Sequence, residues 1–198
     1  MTCLMKLRQL LLAIVILASC GAAWADWELE DAKSTVSFVS IKNDSVGEMH
    51  SFSSLVGYIS DTGNVQVTIN LDSVETLIEI RNERMREMLF ETVKFPTATI
   101  SAQVDPSLIE VAAQGGIVTT ELPITLSLHG QEKSLTVAVV IVGEGDGRLH
   151  VYSARPVLIN AEDFGLTQGV LALRKIAGLQ AISNIVPVTL QLLFIQAE

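Results

Sequence analysis

The sequence predicts an all-β, antiparallel domain, a sandwich or a closed barrel, with a short helical insert around residues 73–90. Three observations predict this class. Apolar and polar residues alternate over many short segments, which is typical of strands with one buried face. Turns rich in Gly, Asp and Asn separate these segments, and about nine or ten such strands suit a sandwich or a barrel. No strand–helix alternation is visible, which argues against a parallel nucleotide-binding sheet.

The first part of the chain contains the clearest strand patterns. Alternate residues of segment 27–42, among them Phe38, fall on one face. Residues 52–60 form a second candidate strand. The turn signal at 61–64 precedes residues 65–71, which alternate strictly between apolar and polar. We therefore predict a hairpin here.

Residues 73–90 interrupt the strand pattern. They contain no Gly or Pro and are rich in helix formers. Asp72 and Glu75 have the spacing of a capping box. We predict one helix, or two short helices with a break, ended by Phe95-Pro96. An apolar stripe on the helix would comprise Ile80, Met85, Met88 and Leu89.

Strand patterns resume after the insert, and residues 26–198 are predicted to form one domain. Pro123 indicates a strand start or a sheet edge. Residues 166–184 are less regular. The predicted strands are 97–104, 108–112, 122–128, 134–142, 149–159 with an interruption at Pro156, and 186–196.

The N-terminus resembles a secretory signal. Residues 1–9 carry two cations and no acid, and the apolar run 10–18 is too short for a transmembrane span. A small-x-small site predicts cleavage after Ala25, giving a signal peptide at 1–25 and no transmembrane span in the mature chain. Alternatively, residues 17–20 resemble a lipobox, in which Cys20 would be lipidated and anchor the protein to a membrane. Either route predicts a periplasmic protein.

Composition excludes several classes of function. The net charge of −9 argues against nucleic acid as a partner. Both cysteines lie in the leader, and the three histidines stand in separate segments where we expect surface or turn positions. We therefore predict no metal site and no cofactor. No nucleophile elbow or phosphate-binding loop occurs, so we predict that the chain is not an enzyme.

The remaining candidate for a functional site is the interior of a barrel. Barrels of about eight strands are either filled by side chains or hold one small ligand. The methionine-bearing segment could gate an opening, because Met adapts to irregular shapes. Alternatively, Met85, Met88, Leu89 and Phe90 simply close the core.

Several motifs together resemble the YceI-like family over about residues 27–195. They are Ser-Val-Glu-Thr at 73–76, Arg-Asn-Glu-Arg-Met-Arg at 81–86, Lys-Phe-Pro at 94–96, Leu-Ser-Leu-His-Gly at 126–130 and Asp-Phe-Gly-Leu at 163–166. The sequence departs from the family pattern at residues 160–162, where the family often has an Arg, at Arg84, where it usually has His, and in a longer connection at 178–183. These departures concern the ligand's head group rather than the fold.

The resemblance implies a lipocalin-like antiparallel barrel that binds a long amphiphile in the periplasm. Such a carrier would hold a polyisoprenoid, a quinone-like molecule or another lipid. A polar head at the mouth could meet Arg81 or Arg84, which suit phosphate or carbonyl groups. The rival hypotheses are a filled, ligand-free envelope stress or interaction module and, last, an enzyme acting on an isoprenoid or quinone. Exposed strands also permit a homodimer. The candidate ligand-binding residues are Phe38, Arg81, Arg84, Met85, Met88, Leu89, Phe90 and Phe95.

Overall fold

A computed structural model describes residues 25–197 of the chain. The strands are β1 (Ala25–Leu29), β2 (Thr35–Lys42), β3 (Val46–Phe52), β4 (Leu55–Ser60), β5 (Asn64–Asn70), β6 (Val74–Glu75), β7 (Thr97–Gln103), β8 (Ile117–Leu128), β9 (Gln131–Gly143), β10 (Arg148–Ser153), β11 (Val157–Asn160) and β12 (Ile185–Gln196). The helices are α1 (Glu79–Arg84), a π-helix that continues it (Met85–Phe90), α2 (Pro106–Ala113) and α3 (Thr167–Ile176), with 3-10 turns at Asp31–Lys33, Leu71–Ser73 and Ala161–Phe164. The predicted signal peptide and Cys20 lie outside the described residues.

The strands form one closed, antiparallel barrel. Four pairs of segments (β1 with β2, β3 with β4, β5 with β6, and β10 with β11) each act as one long strand with a short break, because the two parts pair along the same neighbours. Eight long strands result, each hydrogen-bonded to those before and after it in the chain. The last strand, β12, pairs with β1 and β2 and closes the ring. The predicted barrel is confirmed, and closure leaves no free sheet edge along most of its length.

The barrel interior follows the alternation predicted from the sequence. Val36 and Phe38 on β2 are buried, as are Val67 and Ile69 on β5. The polar residues between them on each strand face the other way. Inward-facing Val, Ile, Leu and Phe from the whole ring therefore form the core.

The helical insert is shorter than predicted and begins later. Asp72 lies inside a 3-10 turn whose N-cap is Asn70, so the predicted capping box is wrong. Val74–Glu75 pairs with β3, because Val74 completes the inward face of the barrel and is only 2% exposed. The helix starts at Glu79, and its second half is π-helical.

Two other predictions about local structure were wrong. Residues 108–112 form helix α2, not a strand. Asp105 caps this helix by accepting the backbone N–H of Ser107, and Pro106 occupies its first turn. The segment 166–184, read as irregular, contains helix α3.

Strand β3 was not predicted, because its inward-facing residues include Glu48 and His50 and therefore break the apolar alternation. Pro123 does not start a strand but lies within β8, paired with Thr136 of β9. The pairing of β8 with β7 ends at Ile124, so Pro123 lacks a partner strand on that side, as its missing N–H requires.

The helices cover the two ends of the barrel. Helix α2 lies across one end, where Gly143 permits its close approach: a Cβ on Gly143 would stand 1.8 Å from the carbonyl oxygen of Ala112. At the other end α3 packs on the π-helix through Gly169, whose added Cβ would lie 2.6 Å from the carbonyl oxygen of Met88. The barrel is thus closed by α2 at one end and only partly covered by α1, the π-helix and α3 at the other.

Candidate functional site

A cavity of about 450 Å³ occupies the half of the barrel beneath α1, the π-helix and α3. This volume lies within the range of about 300–1,000 Å³ that is typical of small-molecule sites. Most of its wall consists of Val, Leu, Ile and Phe side chains from the inner faces of the strands and from the helices at this end. Ile78, Ile80 and Ile176 line the cavity and are each about half exposed. The cavity therefore opens to solvent between these helices.

The cavity extends along several turns of strand pairing in the barrel wall. From Lys42 at the mouth it follows β2 down to Val36, a path of about 20 Å at about 3.3 Å per residue. A second, wholly apolar cavity of about 60 Å³ continues towards α2 and shares Ile124 and Val137 with the first. Only side chains of the inner wall separate the two spaces.

Charged groups are gathered at the mouth. Glu48 accepts hydrogen bonds from Lys42 Nζ at 2.8 Å and from Arg81 Nη1 at 2.7 Å. The hydrogen bond from Lys42, together with the positive charges of Arg81 and Lys42, holds the pKa of the Glu48 carboxyl below its usual value. This carboxylate therefore stays ionised and fixes both cations at the entrance.

His50 lies just below this group and is only 3% exposed. Its Nε2 is 2.8 Å from Ser40 Oγ, whereas its Nδ1 is buried without a hydrogen-bond partner, as is Nε of Arg81. Burial, and then the neighbouring charge of Arg81, lower the pKa of His50, so the neutral imidazole is favoured. A buried polar atom without a partner is energetically unfavourable. His50 and Arg81 therefore each contain one buried nitrogen that no protein group satisfies.

The loop that leads into α1, the helix of Arg81, is held by hydrogen bonds to side chains of that helix. Asn82 Oδ1 accepts the backbone N–H of Thr76 at 2.8 Å, and Arg81 Nη2 donates to the Thr76 carbonyl oxygen. Thr76 and Asn82 are both buried. The motif residues at 73–76 and 81–86 therefore build the entrance of the cavity.

Six of the eight predicted site residues line the cavity. They are Phe38, Arg81, Arg84, Met85, Leu89 and Phe90. Met88 and Phe95 do not line it. The Phe95 ring packs on His129, with ring centroids 4.3 Å apart, because the Lys-Phe-Pro segment lies beside the turn between β8 and β9.

Four polar residues at the mouth were missed by sequence analysis: Ser40, Lys42, Glu48 and His50. The prediction of a surface or turn position was wrong for His50. One signal was available, since Ser40 and Lys42 continue the inward register of Val36 and Phe38 on β2. The pairing of β2 with β3, which brings His50 beside Phe38 and Glu48 beside Ser40, could not be read from the chain.

The described part of the chain holds no group of three or more His, Cys, Asp or Glu side chains arranged to bind a metal. Within residues 25–197, no helix has the length and apolar character needed to cross a membrane.

The fold and this site define an up-and-down β-barrel with an apolar internal cavity that opens at one end through a polar mouth. The model of the YceI-like domain matches residues 27–194. The chain therefore belongs to the YceI-like family.

Solved structures agree with this assignment. The chain is 35% identical to a polyisoprenoid-binding domain from Saccharophagus degradans implicated in plant cell wall breakdown, with a TM-score of 0.85 over 88% of this chain and 100% of that chain. BcnA of Burkholderia cenocepacia is 18% identical, with a TM-score of 0.65 over 83% of this chain and 98% of its own. The YceI protein of Campylobacter jejuni is 16% identical, with a TM-score of 0.51 over 80% of this chain and 85% of its own. These last two similarities concern the fold. No curated protein sequence matches the chain.

Proposed function

We propose that this protein binds a long apolar lipid inside its barrel and carries or buffers it in the periplasm. The observation that carries the proposal is the cavity of about 450 Å³ with its mostly apolar wall. The similarity to a polyisoprenoid-binding domain supports a polyisoprenoid, a quinone-like molecule or another lipid as the ligand. The YceI-like family is one of binding domains, and we propose no catalytic activity for this chain.

An apolar chain needs few directional contacts to bind here. Burying one five-carbon isoprene unit contributes about 2–3 kcal/mol, at about 25 cal/mol per Å² of apolar surface. The burial free energy of several units within the cavity would exceed the free-energy cost of immobilising the chain. The cavity wall can therefore supply the affinity for the ligand, and the polar mouth can fix the orientation of the ligand.

The proposed position of a polar head is the space next to His50 and Arg81. Both residues line the cavity, and Arg81 Nη1 and Nη2 each carry a second N–H besides those donated to Glu48 and Thr76. A carbonyl, hydroxyl or phosphate oxygen of a ligand could accept hydrogen bonds from these donors. Arg84, which also lines the cavity, would add positive charge for an anionic head.

Plugging the cavity tests the proposal. Ala98 points into the cavity from β7, whereas its neighbour Thr99 points outward. Protein with Ala98→Phe, purified from its own envelope without detergent, should lose the co-purifying lipid, while Thr99→Phe should retain it. Lipid extraction and mass spectrometry measure the molar ratio. A wild-type protein that carries no lipid would instead support the ligand-free interaction module.

Removing a cation tests the position of the head. Arg81→Ala should weaken binding of an isoprenoid with a polar head more than binding of a hydrocarbon of equal length, as measured by displacement of a fluorescent probe. Equal losses for both ligands would contradict the assignment. Phe95→Ala serves as the control, because Phe95 lies outside the cavity.

The periplasmic location is part of the proposal and rests on the N-terminal sequence. The intact mass of protein isolated from the envelope distinguishes the two routes of processing. Cleavage after Ala25 leaves an unmodified chain, whereas lipidation at Cys20 adds the mass of acyl chains. A chain that retains residues 1–25 in the cytoplasm would contradict both routes.

A further inference from the structure

Five large apolar side chains surround the opening of the cavity, and we call them the apolar rim: Val46, Leu77, Ile78, Ile80 and Ile176. Leu77 is 91% exposed, and the other four are 45–51% exposed. Three of them also line the cavity. At these three residues the apolar surface of the interior reaches the outside of the protein. Contiguous exposed apolar surface of this kind marks an interaction site.

The tip of the rim is held in an unfavourable conformation. Leu77 has a φ of 62°, a left-handed value that is uncommon for residues with a branched side chain. The loop is held because Asn82 Oδ1 accepts the backbone N–H of Thr76 and Arg81 donates to the Thr76 carbonyl oxygen, and Glu75 accepts the backbone N–H of Leu77. Leu77 contacts none of this buried network with its side chain, which is directed into solvent. A strained backbone that presents an exposed leucine points to a function for that leucine.

The charges near the rim differ from those of the molecule as a whole. The chain has a net charge of −9, but the acids and bases around the opening that form no salt bridge within residues 25–197 nearly balance each other. The bases are Arg84, Arg174 and Lys175, and the acids are Asp44, Glu75, Glu83 and Glu87. A bilayer surface can approach this end without the repulsion that a strongly acidic surface would produce.

We propose that the apolar rim docks on a phospholipid bilayer, with Leu77 and Ile78 inserted among the lipids, so that the ligand passes directly between bilayer and cavity. The inference rests on the proposed function, because a lipid ligand has its source in a membrane. Docking at the mouth would keep an apolar chain out of water throughout its transfer. The partner that contacts the apolar rim is thus a lipid surface.

Vesicle flotation tests the docking. All proteins carry Cys20→Ser, so that no lipid anchor contributes, and the vesicles consist of phosphatidylcholine alone or mixed with phosphatidylglycerol. The double variant Val46→Ser/Leu77→Ser, which changes no residue of the cavity wall, should lower the fraction of floated protein at least about tenfold, and Ile176→Ser should lower it to a smaller extent. Val56→Ser is the matched control, because Val56 is 65% exposed on the barrel wall. Equal flotation of the double variant and the control would overturn the proposal.

A transfer assay distinguishes failure of the docking from failure of lipid binding. The rate at which a dansyl-labelled isoprenoid alcohol passes from phosphatidylcholine vesicles to the wild-type protein should increase in proportion to the vesicle concentration. In the double variant the rate should not depend on the vesicle concentration. The double variant should still bind the probe in detergent solution, whereas Ala98→Phe should float normally but bind no probe. If light scattering shows that the double variant dissociates a dimer, the rim is an interface between two copies and the proposal is wrong.

Discussion

His50 is one of the few polar residues in a mostly apolar cavity wall. Its position follows from the register of β3 against β2, which brings it opposite Phe38, with ring centroids 5.2 Å apart. Ser40 bonds one ring nitrogen and the other has no partner. A residue in this environment is favoured as the neutral imidazole, and protonation would place a positive charge next to Arg81.

The first prediction concerns the pH dependence of stability. Because burial lowers the pKa of His50 in the folded protein below its ordinary value of 6.5, the unfolded chain takes up a proton that the folded chain resists. The unfolding free energy should therefore fall as the pH decreases below about 6.5, by at most about 1.4 kcal/mol per pH unit. Chemical denaturation at several pH values measures the slope.

His50→Leu should flatten this slope, because the titrating group is gone. His150→Gln controls for the removal of a histidine outside the cavity. If His50→Leu retains the full slope between pH 6.5 and the pH at which the carboxylates titrate, the contribution of His50 is refuted. Glu48 acts in the same direction at lower pH: its lowered pKa contributes stability above about pH 4.5 that is lost on further acidification.

At the scale of elements, the cover of the mouth depends on the contact between α3 and the π-helix. Gly169 allows the two backbones to meet, since an added Cβ would lie 2.6 Å from the Met88 carbonyl oxygen and 2.8 Å from Leu89 Cα. Both neighbouring atoms belong to the backbone and cannot move aside independently. The small residue is therefore required by packing rather than by its backbone conformation.

The second prediction is that Gly169→Ala destabilises the protein. Replacing Gly by Ala within a helix normally stabilises it by about 0.8–1.0 kcal/mol, but the overpacking here should cost about 1–3 kcal/mol. The unfolding free energy should therefore fall by about 1 kcal/mol in a denaturant titration. Gln168→Ala, at an exposed position on the same helix, is the matched control. An increase in stability for Gly169→Ala would show that α3 is free to shift.

At the scale of the whole molecule, the barrel combines a solid end with a hollow end. Near α2 the inner side chains of β5, β8, β9 and β12 leave only about 60 Å³, whereas near α1 and α3 they leave about 450 Å³. Val137 belongs to the wall of both spaces and is 2% exposed. The separation between the two cavities therefore depends on the volume of a few side chains.

The third prediction is that Val137→Phe shortens the longest ligand that the barrel accepts. The larger ring would extend into the lower part of the cavity, so affinity for long isoprenoids should fall while shorter ones still bind. Competition binding with alcohols of increasing chain length measures the limit. Val140→Phe, on the outward face of the same strand, should leave the length limit unchanged. An unaltered limit in Val137→Phe would mean that the chain does not reach this depth.

Local patterns in the chain were sufficient to predict most of the strands and the class of fold. Residues 65–71 alternate strictly, and the structure confirms their inward and outward faces because strand periodicity is a property of the backbone itself. The motif residues around Arg81 likewise indicated where the mouth of the cavity lies. The prediction of a strand at residues 108–112 was wrong, because a short apolar segment is compatible with a buried strand and with a helix. Here the Asp105–Pro106 cap favours the helix.

Only the tertiary structure decided which polar residues meet inside the barrel. Glu48 and His50 are distant in sequence from Arg81, and their contact arises from the pairing of β2 with β3 and the return of the chain across the barrel end. The hollow itself also depends on tertiary structure, because an inward-facing Val or Leu looks the same in sequence whether it packs against another side chain or lines a space. Periodicity assigns a side chain to a face, but the distance between opposite walls follows from the closure of all eight strands.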